Sequence, residues 1–356
     1  MISYMFLHHG GHMKTLTIAV ALSLAALTTQ AATIQGSWYA TLRDGDLQFN
    51  LVERGNHGQD GFTLPAASLD GLGAQQIGAS ALTPVTFQLR RPAGTIDFRG
   101  SFQQGQGSGF FTFTPNDTFI RDMRDLGYTD LNDRRLFLFA TTNLTTSWIR
   151  DIRALGFTPS RDELEEVAIF KITPEYVREI RSTGYPDVNL RDLVQLRIGH
   201  IDAARIRDYR ALGFKDISAS DVGELGIMKV TPDYIREISA AGYPNLSASA
   251  LTELRIGHIT ADVIRGFRDL GYTNLSAQQL GEAGIQKVTP EYIQALARLG
   301  YRNIPMRKLI EMRIFKVTPE FIDQMRAAGY ENVPVDKLIQ IRMSHAEDLF
   351  LKKKSG

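Results

Sequence analysis

The sequence predicts an α+β multi-domain chain: a small N-terminal antiparallel β-sandwich or barrel, then an α-solenoid of eight two-helix repeats of about 29 residues. Three observations carry that prediction. A Gly followed by Tyr or Phe recurs at 127, 156, 184, 213, 242, 271, 300 and 329, with one spacing of 28 and the others of 29. A helix N-cap residue stands eleven positions before each of these glycines. Residues 34–114 follow a different grammar, short runs of alternating apolar and polar residues broken by Gly and Asp.

The chain begins with an address. Lys14 precedes the apolar run Ile18 to Leu27, and Thr29-Gln30-Ala31 supplies the small residues of a cleavage site before Ala32. Residues 1–31 therefore read as a secretory signal peptide, with Met13 a better start than Met1. The apolar run is too short to span a bilayer, so no transmembrane segment is expected in the mature chain. The localisation expected is the periplasm, with secretion to the medium as the alternative. Loss of Lys14 takes the formal charge from +1 to 0. A neutral exported chain lacks the basic footprint of a nucleic-acid binder. With no cysteine there is no disulfide framework, lipid-attachment cysteine or thiol nucleophile.

Residues 32–114 form the all-β domain. Trp38 to Leu42, Asp44-Gly45-Asp46 and Leu47 to Val52 read as a hairpin. Val85 to Arg90 and Thr95 to Phe102 alternate, and Phe110 to Thr114 is a further strand, giving five or six strands. The run Gly105-Gln106-Gly107-Ser108-Gly109 has neither the Lys of a P-loop nor a strand-to-helix context, so it is a hairpin turn. His57 is a lone loop histidine. Only Pro115 separates the last strand from the first helical cap, which docks the β domain on the N-terminal end of the solenoid.

Residues 115–345 carry the repeats, and 346–356 form a basic tail. The caps of the first helix are Asn116, Thr145, Thr173, Asp202, Thr231, Thr260, Thr289 and Thr318, whose side-chain oxygens accept from orphan amides of the first turn. Pro follows at 174, 232, 290 and 319, where the missing N–H costs nothing. Ile or Val before the cap faces another apolar residue four after it, as Val230 faces Ile235, a hydrophobic staple. Each first helix ends at the repeat glycine, as at Gly242, in the left-handed conformation that glycine adopts cheaply. A second helix follows from Asn132, Ser160, Asn189, Ser218, Ser247 and Ser276, with Pro305 and Pro334 in the last two units. Helices this short gain their stability from neighbouring units.

The repeated Val-Thr-Pro-Glu/Asp-Tyr at Val230–Tyr234 and Val288–Tyr292, with the Gly-Tyr and Leu-Arg-Ile signatures, resembles a known arrangement. So do Gly36-Ser37-Trp38 and the stretch Gly107 to Asn116. The likeness is to the extracytoplasmic module attached to some bacterial BlaR-type sensor metallopeptidases, and it covers nearly the whole mature chain. It implies an envelope location and a link to a β-lactam or cell-wall-stress sensor. The peptidase itself is not implied, because His-Glu-x-x-His and a transmembrane bundle are both missing.

Sixteen residues after the repeat glycines stand His200, Lys229, His258, Lys287, Lys316 and His345. Stacked helices lie roughly 8–10 Å apart, so His258 is roughly 20 Å from His200, far beyond a shared zinc ion with bonds of about 2 Å. These residues read instead as cations at helix C-termini, or, with Arg197, Arg255, Arg313 and Arg342, as a basic binding stripe. No cofactor or metal is expected, and no catalytic constellation is marked by spacing. A non-catalytic binding or scaffold module presenting its solenoid to an envelope protein, peptide or polymer is the reading preferred. The alternatives are a hydrolase-type enzyme with a site between the β domain and the first repeats, or a purely structural spacer.

Overall fold

The computed structural model describes residues 34–55, 59–346 and 350. The segment read as a signal peptide, His57 and most of the basic tail lie outside the described residues. Six strands come first: β1 (Ile34–Arg43), β2 (Asp46–Glu53), β3 (Gln59–Pro65), β4 (Thr83–Arg91), β5 (Gly94–Gln103) and β6 (Gln106–Pro115). They form one antiparallel sheet of order β3-β2-β1-β6-β5-β4. Asp44 and Gly45, at φ 51° and 89°, make the tight turn between β1 and β2 that the Asp-Gly pair predicts. The third strand, β3, was not marked by its own alternation.

The sheet curls on itself rather than splitting into a sandwich. Phe49 of β2 and Phe87 of β4 are four strands apart in the sheet order, yet their ring centroids lie 6.2 Å from each other. The backbone of Asp70 pairs with Gln88 of β4, so the connection after β3 bridges the two edge strands. The glycine-rich stretch is only partly a turn, because Gly107 and Gly109 lie within β6. A Cβ on Gly107 would stand 2.6 Å from the Phe102 ring, and one on Gly109 2.0 Å from the Arg99 carbonyl oxygen. Glycine here lets neighbouring backbone and an aromatic ring approach where the sheet bends. The Trp38 indole donates to that same Arg99 carbonyl at 3.2 Å.

A short helix, α1 (Ala74–Ile77), lies between β3 and β4, and sixteen helices follow β6. They alternate as first and second helices of eight units: α2 (Asp117–Asp125) and α3 (Asp133–Thr142), α4 (Thr146–Ala154) and α5 (Arg161–Ile169), α6 (Pro174–Ser182) and α7 (Leu190–Ile198), α8 (Ala203–Ala211) and α9 (Ala219–Ile227). The other four units are α10 (Pro232–Ala240) and α11 (Ala248–Ile256), α12 (Ala261–Asp269) and α13 (Ala277–Ile285), α14 (Pro290–Arg298) and α15 (Met306–Ile314), α16 (Pro319–Ala327) and α17 (Val335–Met343). First helices pack on first helices of adjacent units and second helices on second helices, which makes a two-layer solenoid. The caps act as the sequence indicates: Thr231, for example, accepts from the Tyr234 amide at 3.2 Å. Among the described residues no helix is long and apolar enough to cross a membrane.

The β barrel and the first units share one core. Phe137 of α3 is fully buried and stacks on Phe111 of β6 with centroids 5.5 Å apart and planes 5° from parallel. Arg134 of the same helix pairs with Glu53 and Asp60 at the edge of the sheet. Burial raises the Asp60 carboxyl above its usual range.

A doubled spacing is superposed on the repeat. The second helices α9 and α13 carry Gly223 and Gly226, and Gly281 and Gly284, in equivalent places 58 residues apart. A Cβ on Gly226 would stand 2.5 Å from the Gly199 carbonyl oxygen, and one on Gly284 2.1 Å from that of Gly257. The pairs α7–α9 and α11–α13 therefore meet backbone to backbone, and between α7 and α15 the second layer alternates close and wider steps.

Candidate functional site

The ten residues of the predicted stripe separate into two groups. Arg197, Arg255, Arg313 and Arg342 are half-buried. Their guanidinium carbons lie 3.7, 4.9, 4.9 and 5.0 Å from the ring centroids of Tyr176, Tyr234, Tyr292 and Phe321 on the first helix of the same unit. Arg313 also donates through Nε to the Gln286 carbonyl at the end of α13. These arginines tie layer to layer and unit to unit by cation–π stacking and helix-end hydrogen bonds.

The tyrosines continue the stitching. Tyr176, Tyr234 and Tyr292 donate their hydroxyls to the carbonyls of Ile201, Ile259 and Val317, just before the next unit's cap. Tyr209 reaches Val230 in the same way at 2.7 Å. Burial pushes the Tyr209 and Tyr234 phenols up to about 12, and raises those of Tyr176 and Tyr292 further.

The remaining six, His200, Lys229, His258, Lys287, Lys316 and His345, are exposed. Each has a left-handed backbone, with φ between 51° and 57°. They occupy the position just past the second helix, where a left-handed residue closes the end, and their positive charge suits the helix C-terminus. Lys171 (φ 51°) is a seventh member that the spacing from Gly156 hid, because that unit is one residue short. Asn143 takes the place in the first unit.

Beside the cations runs a row that the sequence reading did not mark. Ile169, Ile198, Ile227, Ile256, Ile285, Ile314 and Met343 are the final residues of seven consecutive second helices, and all are between 38% and 55% exposed. The signal was available, since each stands two residues before its Lys or His. On the same edge lie the N-termini of the first helices, where Glu175, Asp233 and Asp262 pair with Arg178, Arg236 and Arg265 three residues on. The edge thus presents apolar, cationic and acidic side chains in a repeating order, at a unit step of roughly 10 Å.

The opposite edge, with first-helix C-termini and second-helix N-termini, carries grooves between units. One of about 570 Å³ lies between the fourth and fifth units, walled by Phe214, Ile235, Ser239, Tyr243 and Leu246. Another of about 630 Å³ lies between the first and second units, where Arg153 stacks on Tyr128. At the junction of the barrel and the first unit, Glu53 and Asp60 are carboxylates held by Arg134. Among the described residues no group of three or more His, Asp or Glu side chains is placed to hold a metal ion. No protein-family model matches the chain, and no curated protein or solved structure is significantly similar to it.

Proposed function

We propose that this chain is a non-catalytic binding module, exported to the bacterial envelope, whose solenoid edge takes a protein or peptide partner. The observation that supports this is the row of seven exposed apolar side chains from Ile169 to Met343, one per unit. An extended apolar row rimmed by charge is the composition of an interaction surface rather than of ordinary solvated helix ends. Charges of both signs repeat along the edge, which suits a polypeptide better than a uniformly charged polymer. The export part of the proposal rests on Lys14 and the apolar run before Ala32. The likeness to a sensor-linked module supports the envelope as its place of work.

The test is retention of envelope-extract proteins by the mature chain and by a triple variant, Ile198→Asp, Ile256→Asp and Ile285→Asp. A partner held saturably by the first and lost by the second, with both chains melting at the same temperature, supports the reading. Equal retention by both removes this edge as the site. N-terminal sequencing of the envelope protein checks export: a start near Ala32 supports it, and an intact Met1 or Met13 overturns it.

A further inference from the structure

The edge opposite the apolar row carries a second stacking ladder, and at one ring inside the array both of its contacts are missing. The aromatic residue after the repeat glycine is covered, in four of the units, by an arginine from the first helix of the next unit. Arg153 stands over Tyr128 at 5.2 Å, Arg181 over Phe157 at 5.0 Å, Arg210 over Tyr185 at 5.0 Å and Arg268 over Tyr243 at 6.0 Å. Arginines at this position also reach back to the end of the preceding first helix: Arg153 donates to the Leu126 carbonyl at 2.7 Å, and Arg326, equivalent to it in the last unit, to that of Leu299 at 2.9 Å. Where the ring is a tyrosine, its hydroxyl donates to the next unit, as Tyr185 does to Ile217 and Tyr243 to Leu275.

Phe214 has neither partner. The residue that should cover it is Ser239, and a phenylalanine has no hydroxyl to offer the Leu246 carbonyl, the counterpart of Ile217. None of the other rings that have a following unit lacks both. Phe157 has no hydroxyl but keeps Arg181. Tyr272 has Ala297 at the arginine's position but keeps its hydroxyl on the Ile304 carbonyl at 2.7 Å. At this break lies the groove of about 570 Å³.

We propose that the groove between the fourth and fifth units binds an arginine side chain of a partner chain, which completes the interrupted ladder from outside. The geometry needed is the one the protein already uses: a guanidinium flat on the Phe214 ring, with the helix-end carbonyl of Leu212 within its reach. Ile235 and Leu246 give the methylene stem apolar walls. Arg236 at the rim does not forbid a second guanidinium. Its own charge is paired with Asp233 at 2.5 Å, and Arg207 holds the equivalent place beside Arg210. The groove is larger than the guanidinium alone, and Asn245 and Ser247 at its rim can meet the backbone of a peptide. This site is independent of the apolar row on the other edge, and either can fail alone.

The test is NMR titration of the isotope-labelled mature chain with the pentapeptide Gly-Gly-Arg-Gly-Gly. The same peptide with lysine, the same with the neutral isostere citrulline, and free arginine serve as separate arms. The expected result is perturbation of Phe214, Ser239 and Leu246, with an arginine-peptide dissociation constant on the order of millimolar. The lysine and citrulline peptides and free arginine should each bind at least fivefold more weakly. Ser239→Arg should abolish the perturbation and raise the melting temperature, and Phe214→Leu should weaken binding at least fivefold. No perturbation at saturating arginine peptide overturns the proposal, as does equal binding of the lysine or citrulline peptide. Equal binding of free arginine overturns the assignment to a partner chain, and unchanged binding by either variant overturns the site.

Discussion

The Arg197 guanidinium lies 3.7 Å from the centre of the Tyr176 ring, and the hydroxyl of that ring donates to the Ile201 carbonyl at 3.0 Å. One residue from each helix of a unit, and the threshold of the next unit, are thus joined through a single phenol. The Nε of Arg197 is buried without a hydrogen bond, as are those of Arg153, Arg181 and Arg210, and the aromatic face is its partner. Such knots repeat along the array, so the stability of each short helix depends on its neighbours' side chains as much as on its own cap.

Alkaline pH should loosen the array through these phenols. Tyr209 and Tyr234 are pushed up to about 12 in the folded chain, from 10 when solvated. Between those values the unfolded chain sheds protons that the folded chain keeps, so stability is whole below pH 10 and falls as pH rises toward 12. A shift of about two units is worth roughly 2–3 kcal/mol per tyrosine. Urea unfolding followed across that range should show the decline, and Tyr209→Phe should flatten it. An unchanged slope in the variant would remove Tyr209 as a source.

Gly226→Ala should destabilise the chain although alanine is the better helix former. Propensity favours alanine by about 1 kcal/mol. The new Cβ would meet the Gly199 carbonyl oxygen at 2.5 Å, and separating α7 from α9 costs about 1–3 kcal/mol. Gly284→Ala should cost at least as much, since the approach there is 2.1 Å. A gain in the denaturation midpoint of either variant would show that the two helices separate freely.

Gly242→Val and Gly329→Val place the same β-branched residue at φ 96° and φ 90°. Each costs at least about 1–2 kcal/mol locally. The first lies between two neighbouring units and presses on Arg268, so it should lower or divide the main calorimetric transition. The second lies in the last described unit and should melt that unit early while leaving the main transition in place. Equal shifts of one undivided transition would mean that the chain folds as a single cooperative body.

Phe137→Ala should uncouple the barrel from the array. The ring is fully buried against Phe111 and Phe113, and its loss costs about 3–5 kcal/mol. Calorimetry should then resolve a barrel transition separate from that of the later units. A single transition shifted as a whole would mean that the junction is held elsewhere.

The sequence by itself determined the units of this protein. A cap, a glycine and a staple act within a dozen residues, so Thr231, Ile235 and Gly242 state the length and ends of α10 without reference to anything distant. The period then states that the units stack. The closing of the barrel was not legible, because the Asp70–Gln88 bridge and the Phe49–Phe87 approach depend on how far the sheet coils, which no local pattern records. Nor was the division of the predicted stripe. Arg197 and His200 are three residues apart in one repeat, but the first turns inward onto a ring while the second ends a helix in a left-handed conformation and faces solvent. Only packing decides which way such side chains point. The break at Phe214 follows the same rule: Ser239 is an ordinary helix residue in the sequence, and becomes an opening only because the neighbouring unit brings an uncovered ring to it.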